Sequence, residues 1–172
     1  AKPPSSSAPT SSHPTEFNPP GDIPDNQVLI PYTPPGGLVT IKVPEGWARS
    51  DHGGAVTFTD KLNSITIQVV PLPQAPTPTW ARNNEVPQLA ASEPAFKLDS
   101  IGTTTRSAGP VVLVKYERDS KPDRVTGKVV RDAVERYDFW KAGHEAVLSL
   151  SGPVGADNVD PWQLVSDSLT WN

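Results

Sequence analysis

The stretch KVVRDAVERYDFWKAGHEAVLSLS, residues 128–151, decides the fold class of this protein. Two runs rich in β-branched and aromatic residues are separated in it by a short link that contains glycine, which is typical of a β-hairpin. Tyr137 and Phe139 lie two residues apart, so they share one face of the first strand. On the second strand, the residues that share a face are Ala146, Leu148 and Leu150. The stretch therefore predicts two antiparallel strands with a common apolar face.

Apolar and polar residues alternate in the same way in five other runs, with the period of half-buried strands. These runs are residues 39–43, 56–59, 65–70, 101–106 and 111–118. Short links that contain polar residues, glycine or proline join the second run to the third and the fourth run to the fifth, so we expect two more hairpins. Because strands mostly follow strands along the chain, antiparallel pairing should dominate.

Two segments have the pattern of helices. Residues 79–91 form the first, although Pro87 should kink or start that helix. The second lies at the C-terminus and should begin with Asp160 as N-cap and Pro161 at the first helical position. Its buried side consists of Trp162, Val165 and Leu169, with Leu164 as a further candidate. The sequence thus predicts an α+β domain: a mainly antiparallel sheet of six to seven strands, covered by two or more helices.

Residues 1–26 differ in composition from the rest of the chain. The segment AKPPSSSAPTSSHPTEFNPPG, residues 1–21, consists mainly of Pro, Ser, Thr and Ala. Such a segment cannot bury enough apolar surface to offset the entropy that ordering would cost. The sequence therefore predicts a disordered, extended stalk over residues 1–26 and a single folded domain over residues 27–172.

The overall composition narrows the classes of partner. The formal net charge is −4 at pH 7, whereas binding to nucleic acids through phosphate contacts requires an excess of basic residues. Nucleic acid is therefore not an expected partner. The chain contains no Cys and no Met. We expect the lack of an initiator Met to reflect removal either of that residue alone or of a signal peptide.

The sequence lacks the motifs of common catalytic and cofactor sites. G-x-S-x-G, H-E-x-x-H, G-x-G-x-x-G and a complete Walker A motif are all absent. The three His residues are not spaced as metal ligands usually are, and the acidic group at residues 157–160 lacks the spacing and the distal Glu of an EF-hand. We therefore expect no cofactor, no metal site and no enzymatic activity.

Residues 115–141 are dense in charges of both signs. One interpretation is a solvated sheet face with ion pairs between strands. The other is a polar recognition surface, because Trp and Arg are frequent anchors at protein interfaces. The candidate residues for such a partner-binding surface are Arg131, Arg136, Tyr137, Trp140 and His144.

Four segments carry a resemblance to a known fold. They are VPEGW at residues 43–47, TFTDKLNS at residues 57–64, residues 125–140 and GADNVDPW at residues 155–162. Together with the order of the elements, they resemble the Mog1/PsbP-like fold and, within it, the predicted actinobacterial lipoproteins of the LpqN/LpqT kind. The resemblance covers residues 38–171. It implies an α/β/α sandwich, and a lipid-modified Cys just before residue 1 as the anchor of the stalk.

These observations favour an extracytoplasmic, membrane-anchored lipoprotein that acts as a binding or accessory protein. Its expected partner is a protein of the membrane or cell wall, and its contact with the membrane is expected only through the implied lipid anchor. Two alternatives stay open. A small-ligand carrier would need an apolar cavity between sheet and helices, and a hydrolase with an unrecognised site would need a pocket with converging carboxylates.

Overall fold

The structure, a computed structural model, describes residues 21–172 and contains ten strands and two helices within that range. Helix α1 covers residues 78–92, and helix α2 covers Val159–Asp167. The strands are β1 (Leu29–Tyr32), β2 (Val39–Pro44), β3 (Ala48–His52), β4 (Ala55–Asp60), β5 (Asn63–Pro71), β6 (Lys97–Arg106), β7 (Gly109–Asp119), β8 (Arg131–Lys141), β9 (His144–Pro153) and β10 (Thr170–Trp171). The predicted α+β class is confirmed.

Seven strands form one antiparallel sheet in the order β3–β4–β5–β9–β8–β7–β6, which we call the main sheet. The hairpins β4–β5, β6–β7 and β8–β9 pair as the sequence predicts. Strand β5 pairs with β9 and so joins the first hairpin to the last one. The main sheet therefore has the expected number of strands.

A second sheet of three strands, in the order β1–β2–β10, was not predicted. Val39, Ile41 and Val43 of β2 are buried, as their alternation predicts, but they pack against the main sheet instead of pairing with it. Alternation identifies a half-buried strand without identifying the strand it pairs with. Which strand β2 pairs with depends on long-range packing.

Strand β3 was also missed, because all five of its residues are exposed and no apolar alternation marks it. It forms one edge of the main sheet. Arg49 and Asp51 form an ion pair of 2.9 Å on it. Charged side chains on an edge strand discourage pairing with other chains.

The main sheet is packed on both faces, which we call front and back. The front face carries Tyr137 and Phe139, and its core includes β2 and the helix α2 residues Trp162 and Val165. The back face forms a smaller core with helix α1, made of Ala81, Leu89, Val112, Val114, Tyr116 and Val134. The expected sandwich is present, except that the small sheet shares the front layer with α2.

Helix α1 contains a π-helical turn, Ala81–Glu85, in which the N–H of Val86 donates to the carbonyl of Ala81. Pro87 follows directly and has no N–H to donate, so a widened turn before it relieves the conflict that proline causes inside a helix. The predicted helix over residues 79–91 is confirmed. Within residues 21–172, no helix is long and apolar enough to cross a membrane.

Helix α2 begins earlier than predicted, and its N-cap is Asn158 instead of Asp160. Asp160 lies in the first turn. Trp162 and Val165 are buried as expected, whereas Leu164 is 55% exposed. The predicted cap was therefore wrong. The side chain of Asn158 makes no capping hydrogen bond, because it binds a segment that is distant in the sequence.

Asn158 anchors the segment that precedes β1. Its Oδ1 accepts from the backbone N–H of Ile23 at 2.8 Å, and its Nδ2 donates to the carbonyl of Gly21 at 3.0 Å and to Oδ1 of Asn63 at 3.1 Å. Ile23 itself belongs to the front core. Packing onto the domain thus includes residues before the expected boundary at residue 27, and the remainder of the predicted stalk, residues 1–20, lies outside the described residues.

Candidate functional site

The five candidate residues lie on β8 and at the start of β9, but on two different faces. Arg131, Tyr137 and His144 belong to the front face, and Arg136 and Trp140 belong to the back face. Residues next to each other along a strand point to opposite faces, which separates odd-numbered from even-numbered residues of β8. The structure therefore does not bring these five side chains together in one surface.

Arg131 and Trp140 make contacts that join neighbouring segments of the domain. Arg131 pairs across the strands with Glu117 at 3.2 Å and with Asp119 at 3.1 Å. Trp140 donates its indole N–H to the carbonyl of Leu72 at 2.8 Å. Both side chains thus hold neighbouring segments of the domain together.

A cleft of about 460 Å³ opens on the front face between strands β6–β8 and the first half of helix α2. We call it the front cleft. Its sheet side includes Arg106, Lys115, Glu135 and Tyr137, and its helix side includes Val159, Trp162 and Gln163. Of the residues predicted from the sequence, Tyr137 is the one that lines this cleft.

The polar groups on the floor of the front cleft are bonded to each other. Arg106 donates to the hydroxyl of Tyr137 at 3.0 Å and to Oγ of Ser166 at 2.8 Å. The Tyr137 hydroxyl donates to Oε1 of Glu135 at 2.7 Å. Burial, with the Glu135 carboxylate beside it, raises the pKa of Tyr137 to about 12, so the hydroxyl keeps its proton at neutral pH. The floor is thus fixed in place before any partner binds.

Trp162 is the exception in this cleft. Its side chain is 8% exposed, and its buried indole N–H has no acceptor among the described residues. A buried Trp N–H usually finds a hydrogen-bond partner, because leaving it unpaired costs free energy.

Three carboxylates converge on the back face, beneath helix α1. Glu85, Asp138 and Glu145 each offer an oxygen, and these atoms lie within 4.8 Å of one another. The three residues are 4%, 1% and 4% exposed, respectively. Nε of Arg136 lies 3.0 Å from Oε2 of Glu85 and 3.7 Å from Oδ1 of Asp138. We call these four residues the back cluster.

Burial changes the acidity of the back cluster. It raises the pKa of Asp138 to about 10 and that of Glu145 to about 7, and the nearby Glu85 carboxylate adds to both shifts. Four of the buried carboxylate oxygens have no hydrogen-bond partner among the described residues: Oε1 of Glu85, both oxygens of Asp138 and Oε2 of Glu145. Arg136 therefore does not satisfy all the carboxylate oxygens placed here.

Sequence reasoning found only Arg136 of the back cluster. A signal was nevertheless present, because Asp138 stands between the aromatic residues Tyr137 and Phe139 in a predicted strand. An acid in a strand that is covered on both faces must be buried, and it needs a partner. Neither the identity of that partner nor the approach of Glu85 can be read from local sequence.

No protein-family model matches the sequence, and no curated protein is significantly similar to it. Among solved structures, the chain is similar to cyanobacterial PsbP (CyanoP) from Synechocystis, with a TM-score of 0.58 and 15% identity over 84% of this chain and 92% of that one. It is also similar to the Ran-binding protein Mog1p of Saccharomyces cerevisiae, with a TM-score of 0.55 and 11% identity over 84% and 96%. The chain therefore has the Mog1/PsbP-like fold that its sequence predicts.

Two further similarities are limited. The chain spans 48% of a Bacteroides thetaiotaomicron protein, with a TM-score of 0.52 and 12% identity over 83% of this chain. LpqN of Mycobacterium tuberculosis, a protein involved in cell envelope biogenesis, superposes with a TM-score of 0.46 and 13% identity over 86% of this chain and 92% of that one. This similarity is too weak to indicate a function. Similarity at these identities shows the fold and assigns no partner or site.

Proposed function

We propose that this protein is an extracytoplasmic binding or accessory protein that recognises a partner protein through the front cleft. The front cleft carries this proposal, because its lining combines the ammonium of Lys115, the amide of Gln163 and the exposed apolar side chain of Val159, while the polar groups of its floor are bonded to each other. The Mog1p structure of the same fold is that of a Ran-binding protein, which is compatible with recognition of a protein.

The chemistry of the front cleft indicates what the partner should offer. Donors line it on both sides: the ammonium of Lys115 on the sheet side and the amide of Gln163 on the helix side. An acceptor-rich segment, such as exposed backbone carbonyls with an acidic side chain, would match these groups. Val159, which is 72% exposed at the rim, adds an apolar contact beside them.

A binding role fits the front cleft better than catalysis does. Glu135 is the one carboxylate among its lining residues, and Tyr137 and Lys115 already hold it at 2.7 and 3.8 Å. The converging carboxylates expected of a hydrolase lie instead in the back cluster, where each residue is at most 4% exposed. A substrate could not reach all three without displacement of helix α1.

The binding site can be tested with a photoreactive amino acid placed at Gln163 in the full-length precursor, expressed in the native cells. Gln163 lines the front cleft, whereas its neighbour Leu164 is 55% exposed outside it and serves as the matched control position. We expect one discrete crosslinked protein from position 163 and none from position 164. The crosslink should weaken in a Lys115→Glu variant and persist in Lys97→Glu, which lies outside the cleft. Equal crosslinking from both positions, or none, would refute the role of the cleft.

We further propose that a lipid anchor N-terminal to the stalk holds the domain at the outer face of the membrane. The Pro/Ser-rich composition of residues 1–20 supports a spacer, because about 20 extended residues reach roughly 60 Å. Mass spectrometry of the protein purified from native membranes should show an acylated Cys preceding residue 1. An unmodified N-terminus would end this part of the proposal.

A small polar ligand is the second candidate for the front cleft. The volume of about 460 Å³ lies within the range of roughly 300–1,000 Å³ that small-molecule sites have. The charged, hydroxyl and amide groups that line it suit a polar compound and not an apolar one. A compound that co-purifies with the protein, in place of a crosslinked protein, would favour this candidate.

A further inference from the structure

We propose that the back cluster is a binding site for a divalent metal cation, coordinated by carboxylate oxygens of Glu85, Asp138 and Glu145. The site lies on the opposite face of the main sheet from the front cleft and does not depend on the binding function proposed for that cleft. The sequence predicted no metal site, because the three ligands come from helix α1 and from two different strands.

The free oxygens match the preference of hard cations. Ca²⁺, Mn²⁺ and Mg²⁺ bind carboxylate oxygens, and the back cluster offers four such oxygens without a hydrogen-bond partner among the described residues. Asp138 is 1% exposed, and both of its oxygens are among these four. A buried carboxylate without partners is costly, and coordination to one ion would remove that cost for all three residues.

The spacing of the oxygens also fits. Two oxygens bound to the same Ca²⁺ at 2.3–2.6 Å lie at most about 5.2 Å apart. The oxygens of Glu85, Asp138 and Glu145 already lie within 4.8 Å of one another. A Ca²⁺-sized ion therefore fits the observed spacing, whereas Mg²⁺, with bonds of about 2.1 Å, accepts oxygens at most about 4.2 Å apart.

The charges balance with one divalent ion. With all three carboxylates deprotonated, as metal coordination requires, they and one guanidinium carry −3 and +1, which leaves −2 in a site where each acid is at most 4% exposed. A cation of +2 brings the sum to zero. Arg136 stays paired with Glu85 through Oε2, which leaves Oε1 of that residue for the ion.

A cavity borders the site on one side. It has a volume of about 360 Å³, lies between the proline-rich segment before helix α1 and strands β6–β8, and is lined by Asp138 and Trp140 among others. Glu85 and Glu145 do not line it, so an ion reaches all three carboxylates only when helix α1 opens locally. The π-helical turn ends at Glu85 and brings that side chain to the sheet, and such turns are frequent at functional sites.

The test uses the purified full chain, stripped of metal with EDTA, and measures its thermal unfolding midpoint with millimolar Ca²⁺, Mn²⁺ or Mg²⁺. At a concentration of about 100 times the dissociation constant, the midpoint should rise by about 5–10 °C for a chain of this size. Tb³⁺, which replaces Ca²⁺ in oxygen sites, should give luminescence sensitised by Trp140 at the same site.

Variants distinguish this site from unspecific binding to acidic residues. Asp138→Asn and Glu145→Gln each remove a charge and a ligand, so both should fold, lose the shift in the midpoint and lose the Tb³⁺ signal. Glu117→Gln, on the front face and outside both sites, should keep them. If none of the three cations shifts the midpoint of the unmodified protein, and Tb³⁺ luminescence equals that of Asp138→Asn, the carboxylates hold protons instead and the proposal is wrong.

Discussion

Replacing Arg136 with methionine is expected to lower the free energy of unfolding by about 3–5 kcal/mol, because removing one partner of a buried ion pair leaves the other charge uncompensated. Its guanidinium lies 3.0 Å from Glu85, and no other cation pairs with the acids of the back cluster among the described residues. Equilibrium urea unfolding at neutral pH, with divalent cations chelated, measures the effect.

The matched control for this experiment is Arg49→Met. Arg49 also pairs with a carboxylate, Asp51, at 2.9 Å, but the side chains are 46% and 56% exposed. Exposed ion pairs contribute less than about 1 kcal/mol, so this change should alter stability little. Equal losses in both variants would contradict the structural role of the back cluster. Because Arg136 is paired with Glu85 inside the domain, a charge reversal there would destabilise the domain and could not serve as a test of partner binding.

Asn158→Ala is expected to lower the free energy of unfolding by about 2–5 kcal/mol, because at least two buried polar groups lose their partner at about 1–3 kcal/mol each. The groups concerned are the N–H of Ile23, which donates at 2.8 Å, and Oδ1 of Asn63, which accepts at 3.1 Å. Gly152 packs closely against the Asn158 side-chain amide, since an added Cβ there would stand 2.8 Å from its nitrogen.

Urea unfolding measures the loss of stability, and hydrogen exchange at the Ile23 amide measures the release of the segment that precedes β1. Both should change in Asn158→Ala. Asn84→Ala is the control, because Asn84 donates to the carbonyl of Trp80 at 2.9 Å in an exposed position on helix α1. Protection of the Ile23 amide that survives in Asn158→Ala would show that core packing alone holds the segment.

The parts of the fold that sequence predicted are those that depend on neighbours along the chain. The alternation around Tyr137 and Phe139, followed by the Ala142–Gly143 link, was sufficient for hairpin β8–β9. Strand β3 carries no such signal because no side chain on it is buried. The cap of helix α2 was misassigned. The Asn158 side chain bonds to the distant Ile23 instead of capping the helix, and local helix propensities do not include such a long-range contact.

The candidate site was predictable only in part. The choice of a charged stretch on β8 led to Arg136 and Tyr137, and these residues do lie in the back cluster and the front cleft. The prediction placed Arg136 and Tyr137 in one surface, but adjacent residues of a strand lie on opposite faces of the sheet. Trp162 was expected in the core and is buried there, but its place in the lining of the front cleft depends on how α2 packs over β6–β8.

By itself, the sequence determined the α+β class, the three hairpins and the two helices, because period, turn residues and helix spacing act over a few neighbouring residues. Only the tertiary structure decided that β2 leaves the main sheet and that Glu85, Asp138 and Glu145 meet. The three carboxylates come from positions up to 60 residues apart, and Thr40 of β2 pairs with Thr170 of β10, 130 residues away. Such contacts depend on how the layers pack, which no local pattern records.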